Sequence, residues 1–156
     1  MTAGSKQIDV LVLGLGNELL TDDGVGVHVL RALQEESLPK GVQTLEAGTA
    51  ILHVQDVLEQ AGHVIAIDAV QAGDAPGSIY RLDVGQAQLN KPASLHDLGI
   101  VGVLKLMPES LRPQVTILGI EPKVFDYGMQ LTPSVQESVR RAVDIAKTMI
   151  TEVLVS

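Results

Sequence analysis

The sequence contains no cysteine, no tryptophan and only three aromatic residues, two Tyr and one Phe. Without cysteine the chain can form no disulfide, no thiolate zinc site and no iron–sulfur cluster, and it has no cysteine nucleophile. Positive charge is also scarce, because 11 Lys and Arg stand against 19 Asp and Glu and give a formal net charge of −8. A nucleic-acid-binding protein needs a basic face and aromatic rings for base stacking, so this class is disfavoured.

The sequence also lacks long apolar runs. The first such run, residues 10–15, is too short for the core of a signal peptide. No stretch approaches the roughly 20 apolar residues that cross a membrane. We therefore expect a cytoplasmic protein with no membrane partner. The length predicts one domain over residues 1–156, large enough for a core without cross-links, and a monomer is the default expectation.

Short β-branched runs alternate with helical apolar spacing along the whole chain. This alternation predicts an α/β fold: a single three-layer αβα domain around a twisted, mostly parallel sheet of five strands. The segment 78–84 alternates polar and apolar residues and is predicted as an edge or antiparallel strand, while 85–95 and 121–131 are expected to be irregular. Thr132 and Pro133 predict the N-cap and first turn of the last helix. The other predicted strands are 8–13, 41–46, 63–67 and 114–120, and the other predicted helices are 22–36, 50–60 and 97–107.

Acidic residues follow the first three predicted strands. Asp22 and Asp23 end the loop after the first strand, Glu46 closes the second, and Asp68 directly follows the third. Ligands of open α/β sheets bind beyond the carboxyl ends of the strands, and the third strand often lies beside the first. We therefore expect Asp68 near the Asp22–Asp23 loop, where two carboxylates repel unless a proton or cation lies between them. The alternative is that Asp22 or Asp23 caps the following helix and that Asp68 braces a loop.

His96 is the histidine that ordinary packing explains least well, because it lies in the irregular segment before a predicted helix. Two carboxylates and this imidazole would form a mixed oxygen and nitrogen ligand set suited to Ni, Fe, Mn or Zn. The alternative is that His96 merely precedes the helix beside its capping residue, Asp97. Sequence spacing alone does not decide between these readings.

Other catalytic and binding motifs fit poorly. Gly14 and Gly16 match the first two glycines of a dinucleotide-binding loop, but Leu19 occupies the third position, and a pyrophosphate would meet Asp22 and Asp23. The sequence has no G-x-S-x-G elbow, no H-E-x-x-H helix and no P-loop. A nucleotide-binding function is therefore a minor alternative.

Five motifs, in order and spread over nearly the whole chain, resemble those of the hydrogenase maturation proteases. These endopeptidases remove a C-terminal extension from the large subunit of [NiFe] hydrogenases, and their fold is a twisted, predominantly parallel sheet between helices. The segment Glu46-Ala47-Gly48-Thr49 departs from the Asp-Gly-Gly-Thr frequent in the family. The motifs are GLGNELLTDDGVG after the first strand, AGT at 47–49, IDAV at 67–70, LHDLG at 95–99 and GIEP…LTPSV over 119–135.

The resemblance implies a site and a partner. Asp23, Asp68 and His96 would contact the nickel of a large-subunit precursor, which supplies the metal, so the protease need hold none of its own. Other divalent ions such as Cd²⁺ or Zn²⁺ would fit the same ligands. Asp23, Asp68 and Glu46 are the candidate catalytic carboxylates. The attacking group stays open between a metal-polarised water with a carboxylate base and an aspartic-type route with Asp68 or Glu46 as the base.

Two other readings compete with the protease. One is a nickel- or nucleotide-binding accessory protein of α/β fold without proteolytic activity. The other is a structural α/β module whose acids only cap helices. The loss of a C-terminal peptide from a precursor would distinguish the protease from both.

Overall fold

The fold is seen in a computed structural model that describes residues 6–90 and 99–156. Three 3-10 turns, Thr21–Gly24, Ile51–Val54 and Glu109–Leu111, precede or follow the longer elements. The strands are β1 (Ile8–Leu15), β2 (Val42–Gly48), β3 (Ala61–Ala69), β4 (Ile79–Asp83) and β5 (Gln114–Ile120). The helices are α1 (Val25–Gln34), α2 (Gln55–Gln60), α3 (Gln86–Leu89), α4 (Ile100–Leu106) and α5 (Pro133–Val155).

The five strands form one sheet in the order β2-β1-β3-β5-β4. The pairs β1–β2, β1–β3 and β3–β5 are parallel, whereas β4 pairs antiparallel with β5 at the edge. The predicted mostly parallel five-stranded sheet is therefore confirmed, as is the antiparallel edge strand. Its alternating sequence fits a strand with one partner, because only the inner strands are covered on both faces.

Two apolar cores cover the two faces of the sheet. Residues of β1 alternate between them: Val10 and Val12 pack in the core with α1 and α5, whereas Leu11 and Leu13 pack in the core with α2 and α4. The continuous apolar run of β1 follows from this, since each successive side chain enters one core or the other. The result is the predicted three-layer arrangement. No helix among residues 6–90 and 99–156 has the length and apolar character needed to span a membrane.

Several predicted boundaries differ from the structure. The helices expected over 22–36 and 50–60 begin as the 3-10 turns Thr21–Gly24 and Ile51–Val54, and the segment 85–95, expected to be irregular, contains the short α3. The helix expected over 97–107 appears as Ile100–Leu106, with its predicted start outside the described residues. Apolar spacing does not separate a 3-10 turn from the first turn of an α-helix, which explains the first two differences.

The strand order also fixes where a ligand can bind. After β1 the chain passes through α1 to β2 on one side, and after β2 it passes through α2 to β3 on the other side of β1. The connections therefore diverge between β1 and β3. In open α/β sheets this switch point leaves a crevice at the carboxyl ends of the two strands.

Candidate functional site

Gly16 is the residue that allows the loop after β1 to fold back over the ends of the strands. Its φ of +108° is a conformation that other residues rarely adopt. A Cβ atom at this position would lie 1.9 Å from the main-chain oxygen of Asp23 and 3.4 Å from Oδ1 of Asp68. The absence of a side chain at Gly16 therefore lets the Asp23 turn approach the end of β3.

Gly26 brings the start of α1 equally close to the sheet. A Cβ atom here would lie 2.1 Å from the carbonyl oxygen of Ile67 and 2.5 Å from that of Leu15. The first turn of α1 thus rests directly on the carboxyl ends of β1 and β3. Close packing at these two glycines explains why the GLGNELLTDDGVG segment is compact.

Asp23 is half-buried and is oriented by the loop that it closes. Its Oδ2 accepts a hydrogen bond of 2.9 Å from the main-chain N–H of Asn17. Neither the 3-10 turn Thr21–Gly24 nor α1 has a side-chain cap among the described residues. The alternative in which Asp22 or Asp23 caps the helix is therefore wrong. The N-cap positions are occupied by Leu20 for the turn and by Gly24 for α1, so Asp22 and Asp23 lie inside the turn.

Asp68 lies at the end of β3, half-buried, and its charge is poorly compensated. Its Oδ1 accepts one hydrogen bond, 2.8 Å long, from the N–H of Ala69. The pKa of Asp68 is raised to about 6, chiefly by burial; the hydrogen bond from Ala69 opposes the rise, and the negative charge of Asp23 adds to it. The expected approach of Asp68 to the Asp22–Asp23 loop is confirmed. The two negative charges interact unfavourably, and a proton or a cation between two such carboxylates would relieve this repulsion.

Asp22 has a different role from its neighbour. It is fully buried and accepts four hydrogen bonds: from the N–H groups of Lys123 (2.8 Å) and Val124 (3.1 Å), and from the N–H (2.8 Å) and hydroxyl (2.7 Å) of Thr132. Burial alone would raise the pKa of Asp22, but these hydrogen bonds outweigh it and lower the pKa below its usual value. Asp22 therefore ties the β1 loop to the segment after β5.

Thr132 is the predicted N-cap of α5, and its position is confirmed because Pro133 begins the helix. The expected capping hydrogen bond from its side chain is not formed, however, among the described residues. The Thr132 hydroxyl donates to Asp22 instead. This charge-assisted hydrogen bond holds the Thr132 side chain towards the Asp22 carboxylate.

Glu46 lies within β2 and is paired with a cation. Both of its carboxylate oxygens accept from Arg31, at 2.7 and 3.1 Å, and the same guanidinium binds Glu18 at 2.8 and 3.2 Å. Glu46 is in register with Gly14, which is itself in register with Ile67. Side chains alternate along a strand, and Ile67 packs in the core with α1, so Asp68 points to the opposite face of the sheet. The structure therefore separates Glu46 from the Asp23–Asp68 pair.

Glu121 is a buried acid at the end of β5 whose role is structural. It accepts from the main-chain N–H groups of Ala72 (2.9 Å) and Asp74 (3.2 Å) and from the Tyr80 hydroxyl (2.5 Å). The Tyr80 hydrogen bond is the largest of the effects that lower the pKa of Glu121. This carboxylate orders the loop between β3 and β4, and its partners satisfy it as fully as those of Asp22.

The predicted third metal ligand, His96, lies outside the described residues. Within residues 6–90 and 99–156, no group of three or more His, Asp or Glu side chains is arranged to hold a metal ion. The predicted ligand set of Asp23, Asp68 and His96 is thus represented by its two carboxylates alone, and its completion stays a prediction.

Two features of the site were not anticipated from the sequence. The first is the tether from Asp22 to the segment after β5, and the second is the Arg31 bridge between Glu18 and Glu46. The sequence shows two adjacent acids at the end of a glycine-rich loop. It does not show which of them accepts hydrogen bonds from the rest of the chain, because those partners are distant in sequence.

A mostly parallel α/β sheet with two neighbouring acids at its switch point defines the class of protein: an α/β protein with Asp23 and Asp68 at the carboxyl ends of its strands. The family model described as "Hydrogenase maturation protease" matches residues 27–149. The chain therefore belongs to the hydrogenase maturation protease family, which confirms the resemblance. Membership places it among the peptidases, hydrolases that act on peptide bonds.

Individual relatives agree with this assignment. The chain is 33% identical over 141 residues to the hydrogenase 2 maturation protease of Escherichia coli (strain K12), and the alignment covers 86% of each chain. It is 32% identical over 145 residues to the hydrogenase expression/formation protein HupD of Thiocapsa roseopersicina, covering 88% of this chain and 66% of that protein.

Solved structures share the fold. The hydrogenase maturating endopeptidase HybD from E. coli superposes with a TM-score of 0.81 at 29% identity and 93% coverage of both chains. The [NiFe] hydrogenase maturation protease HybD from Thermococcus kodakarensis superposes with a TM-score of 0.72 at 33% identity, covering 92% of this chain and 99% of that one. Both similarities extend through nearly all of the sheet and its helices.

Proposed function

We propose that this protein is an endopeptidase that cleaves the C-terminal extension from the nickel-loaded precursor of a [NiFe] hydrogenase large subunit and so completes its maturation. The observation that carries the proposal is the approach of Asp23 to Asp68 at the β1–β3 switch point, in a chain of this family. The name of the T. kodakarensis relative includes [NiFe] hydrogenase, which supports the class of substrate.

Nickel enters the proposal as part of the substrate. Asp23, Asp68 and His96 would contact the nickel already held by the precursor, and Cd²⁺ or Zn²⁺ would occupy the same position in their place. Two half-buried carboxylates with mutually unfavourable charge support this, because a divalent cation between them removes the repulsion. Borderline metals accept such mixed carboxylate and imidazole ligands.

Asp68 is the group that we propose as the general base. A water molecule attacks the carbonyl carbon of the scissile peptide, the base takes a proton from the water, and the leaving nitrogen receives a proton as the C–N bond breaks. With its pKa near 6, Asp68 is suited to accept a proton near neutral pH, since general bases work best when their pKa lies near the working pH. Asp23 would then orient the water or the metal.

Glu46, the other candidate base, is less suited to this role. Its carboxylate oxygens already accept hydrogen bonds from Arg31, and its register directs it to the face opposite Asp68. These contacts favour Asp68 as the base and give Glu46 a role in shaping the surface beside α1.

The products and the setting follow from the same proposal. Cleavage gives the large subunit a new C-terminus and releases the extension, which lets the last cysteine of the substrate close over its metal centre. We place the reaction in the cytoplasm, where this chain would act as a monomer that docks transiently on its substrate.

The test is a mass measurement on purified components. Precursors of the [NiFe] hydrogenase large subunits of the source organism are incubated, with and without nickel, with the protein. We expect loss of one C-terminal peptide from a nickel-loaded precursor only. The variants Asp23→Asn and His96→Ala should stop this processing while their circular dichroism stays unchanged.

Two results would contradict the proposal. If no nickel-loaded precursor loses mass, although nickel or a precursor binds, the non-proteolytic accessory function is correct. If both variants process the precursor at the wild-type rate, the protein is a protease whose site is elsewhere.

A further inference from the structure

Two neighbouring segments beside the carboxylate pair expose large apolar side chains. They are Leu19 (54% exposed), Phe125 (39%), Tyr127 (94%) and Met129 (59%), which we call the apolar rim. Phe125 and Tyr127 are two of the three aromatic residues in the whole sequence. A chain with so few aromatic rings that leaves two of them in solvent has not used them for its core. Exposed aromatic and Met side chains that cluster are typical of binding surfaces.

The apolar rim is fastened to the turn that carries Asp23. The N–H of Thr21 donates to the carbonyl of Gly128 at 2.7 Å, and the N–H of Gly128 donates to the carbonyl of Leu19 at 2.9 Å. The N–H of Asp23 in turn donates to the carbonyl of Leu20 at 3.1 Å. The buried Asp22 adds its hydrogen bonds to the same segment. Whatever the rim binds is therefore held at a fixed position relative to the Asp23–Asp68 pair.

The main chain of the rim also has an open edge. Gly128 forms a parallel bridge with Leu20, so both of its polar main-chain groups point towards residues 19–21. Tyr127 and Met129, on either side of Gly128, lie at bends of the chain. Within the part of the chain that the structure describes, neither residue makes a main-chain hydrogen bond. The main-chain groups of a bound peptide can pair with these groups while its side chains contact the neighbouring apolar residues.

We propose that the apolar rim binds the polypeptide of the large-subunit precursor as an extended segment and so brings its scissile bond to the Asp23–Asp68 pair. This inference rests on the proposed function, because it names the surface by which the same site receives its substrate. A protease needs the main chain of its substrate extended and fixed near the base. The hydrogen bonds of Leu20, Thr21 and Gly128 join the rim to the turn that carries Asp23.

The test compares the double variant Tyr127→Ser/Met129→Ser with the matched control Val155→Ser, whose apolar side chain is 79% exposed at the end of α5. Nickel-loaded large-subunit precursor is the probe in two assays. One measures cleavage kinetics, and the other measures the affinity of the precursor for each chain carrying Asp68→Asn in addition. The rim residues are exposed, so both variants should unfold at the wild-type temperature, and the single variant Tyr127→Ala replaces the double variant if that fails.

We expect the double variant to raise KM and weaken precursor affinity about tenfold, as truncation of an interface hot spot does, with kcat at saturating precursor within twofold of wild type. The control should match wild type in both assays. If wild type cleaves but the double variant has the KM and affinity of the control, the inference is wrong and the proposed function stands. A fall in kcat at unchanged KM also overturns the inference.

The remaining outcomes concern wild type. If it binds the precursor without cleaving it, and the double variant binds more weakly, the rim is supported as the docking surface while the proteolytic function fails. If wild type neither binds nor cleaves any precursor, both proposals are overturned.

Discussion

Asp22 is buried and Asp68 is half-buried, and both lie at the same end of the sheet. Their pKa values are shifted in opposite directions. Asp22 accepts four hydrogen bonds, and its pKa lies below the usual value. Asp68 accepts one hydrogen bond from Ala69, and its pKa is raised to about 6. Burial raises the pKa of both groups, so the difference comes from the donors that surround each one.

The comparison separates a structural acid from the acid that we propose as the general base. A buried carboxylate with enough donors stays ionised and holds its neighbours in place, as Asp22 does for the segment after β5. A carboxylate that lacks donors retains the capacity to take a proton or bind a cation. The adjacent residues Asp22 and Asp23 differ in their hydrogen bonds, although they are chemically identical: Asp22 accepts four, and Asp23 accepts one, from Asn17.

The largest effect on stability is expected at Asp22. Replacing it with Ala leaves the N–H groups of Lys123, Val124 and Thr132 without their acceptor, which should lower the free energy of unfolding by about 3–5 kcal/mol. Urea denaturation at pH 7 measures the loss. The control is Asp126→Ala, an exposed acid in the same segment, which should change little. Equal losses in both variants would show that the Asp22 hydrogen bonds are not special.

Gly16→Ala should have the next largest effect. The new Cβ would lie 1.9 Å from the Asp23 carbonyl oxygen, and the φ of +108° is strained for Ala. We expect a loss of about 2–4 kcal/mol from the two effects together, with slower cleavage because the Asp23 turn must move. Gly85→Ala is the control, because no atom lies within 4 Å of a Cβ built there. A Gly16→Ala protein as stable and active as this control would remove the argument for close packing.

Asp68→Asn should stabilise the protein above neutral pH. Since the folded pKa of about 6 exceeds the unfolded value of about 3.9, the carboxyl favours folding below pH 4 and loses that contribution as the pH rises through 6. At pH 8 the Asn variant should therefore be more stable than wild type by on the order of 1–3 kcal/mol, with the difference fading at pH 4. Urea unfolding of the metal-free protein at both values checks this. If the variant is less stable than wild type at pH 8, Asp68 has a structural role like that of Asp22.

The smallest effects are expected at Glu46. Its ion pair with Arg31 is exposed, so Glu46→Gln should cost less than about 1 kcal/mol, and added salt should reduce the cost further. Cleavage should stay within about tenfold of wild type, since Asp68 is the proposed base. Glu152→Gln, which breaks the exposed pair with Arg81, is the matched control. A loss of cleavage at Glu46→Gln alone would move the general base to that residue.

The sequence was sufficient to predict the sheet and the position of Asp68 near the loop after β1. Apolar runs such as that of β3 predict the strands, and the topology of α/β folds predicts that Asp68 lies beside that loop. The role of Asp22 could not be predicted, because its partners Lys123 and Thr132 are about a hundred residues away in the chain. The Glu46 ion pair depends equally on how α1 packs over β2, which periodicity alone leaves undetermined.

The central claim is that Asp68 acts as the general base although its charge lowers the stability of the folded protein. The cleavage rate of Asp68→Asn tests this claim most directly. Single-turnover cleavage of saturating nickel-loaded precursor should fall by about 10²–10⁴-fold, the usual contribution of a general base, while the variant stays folded and at least as stable as wild type at pH 8. A folded variant that cleaves within tenfold of the wild-type rate would contradict the account.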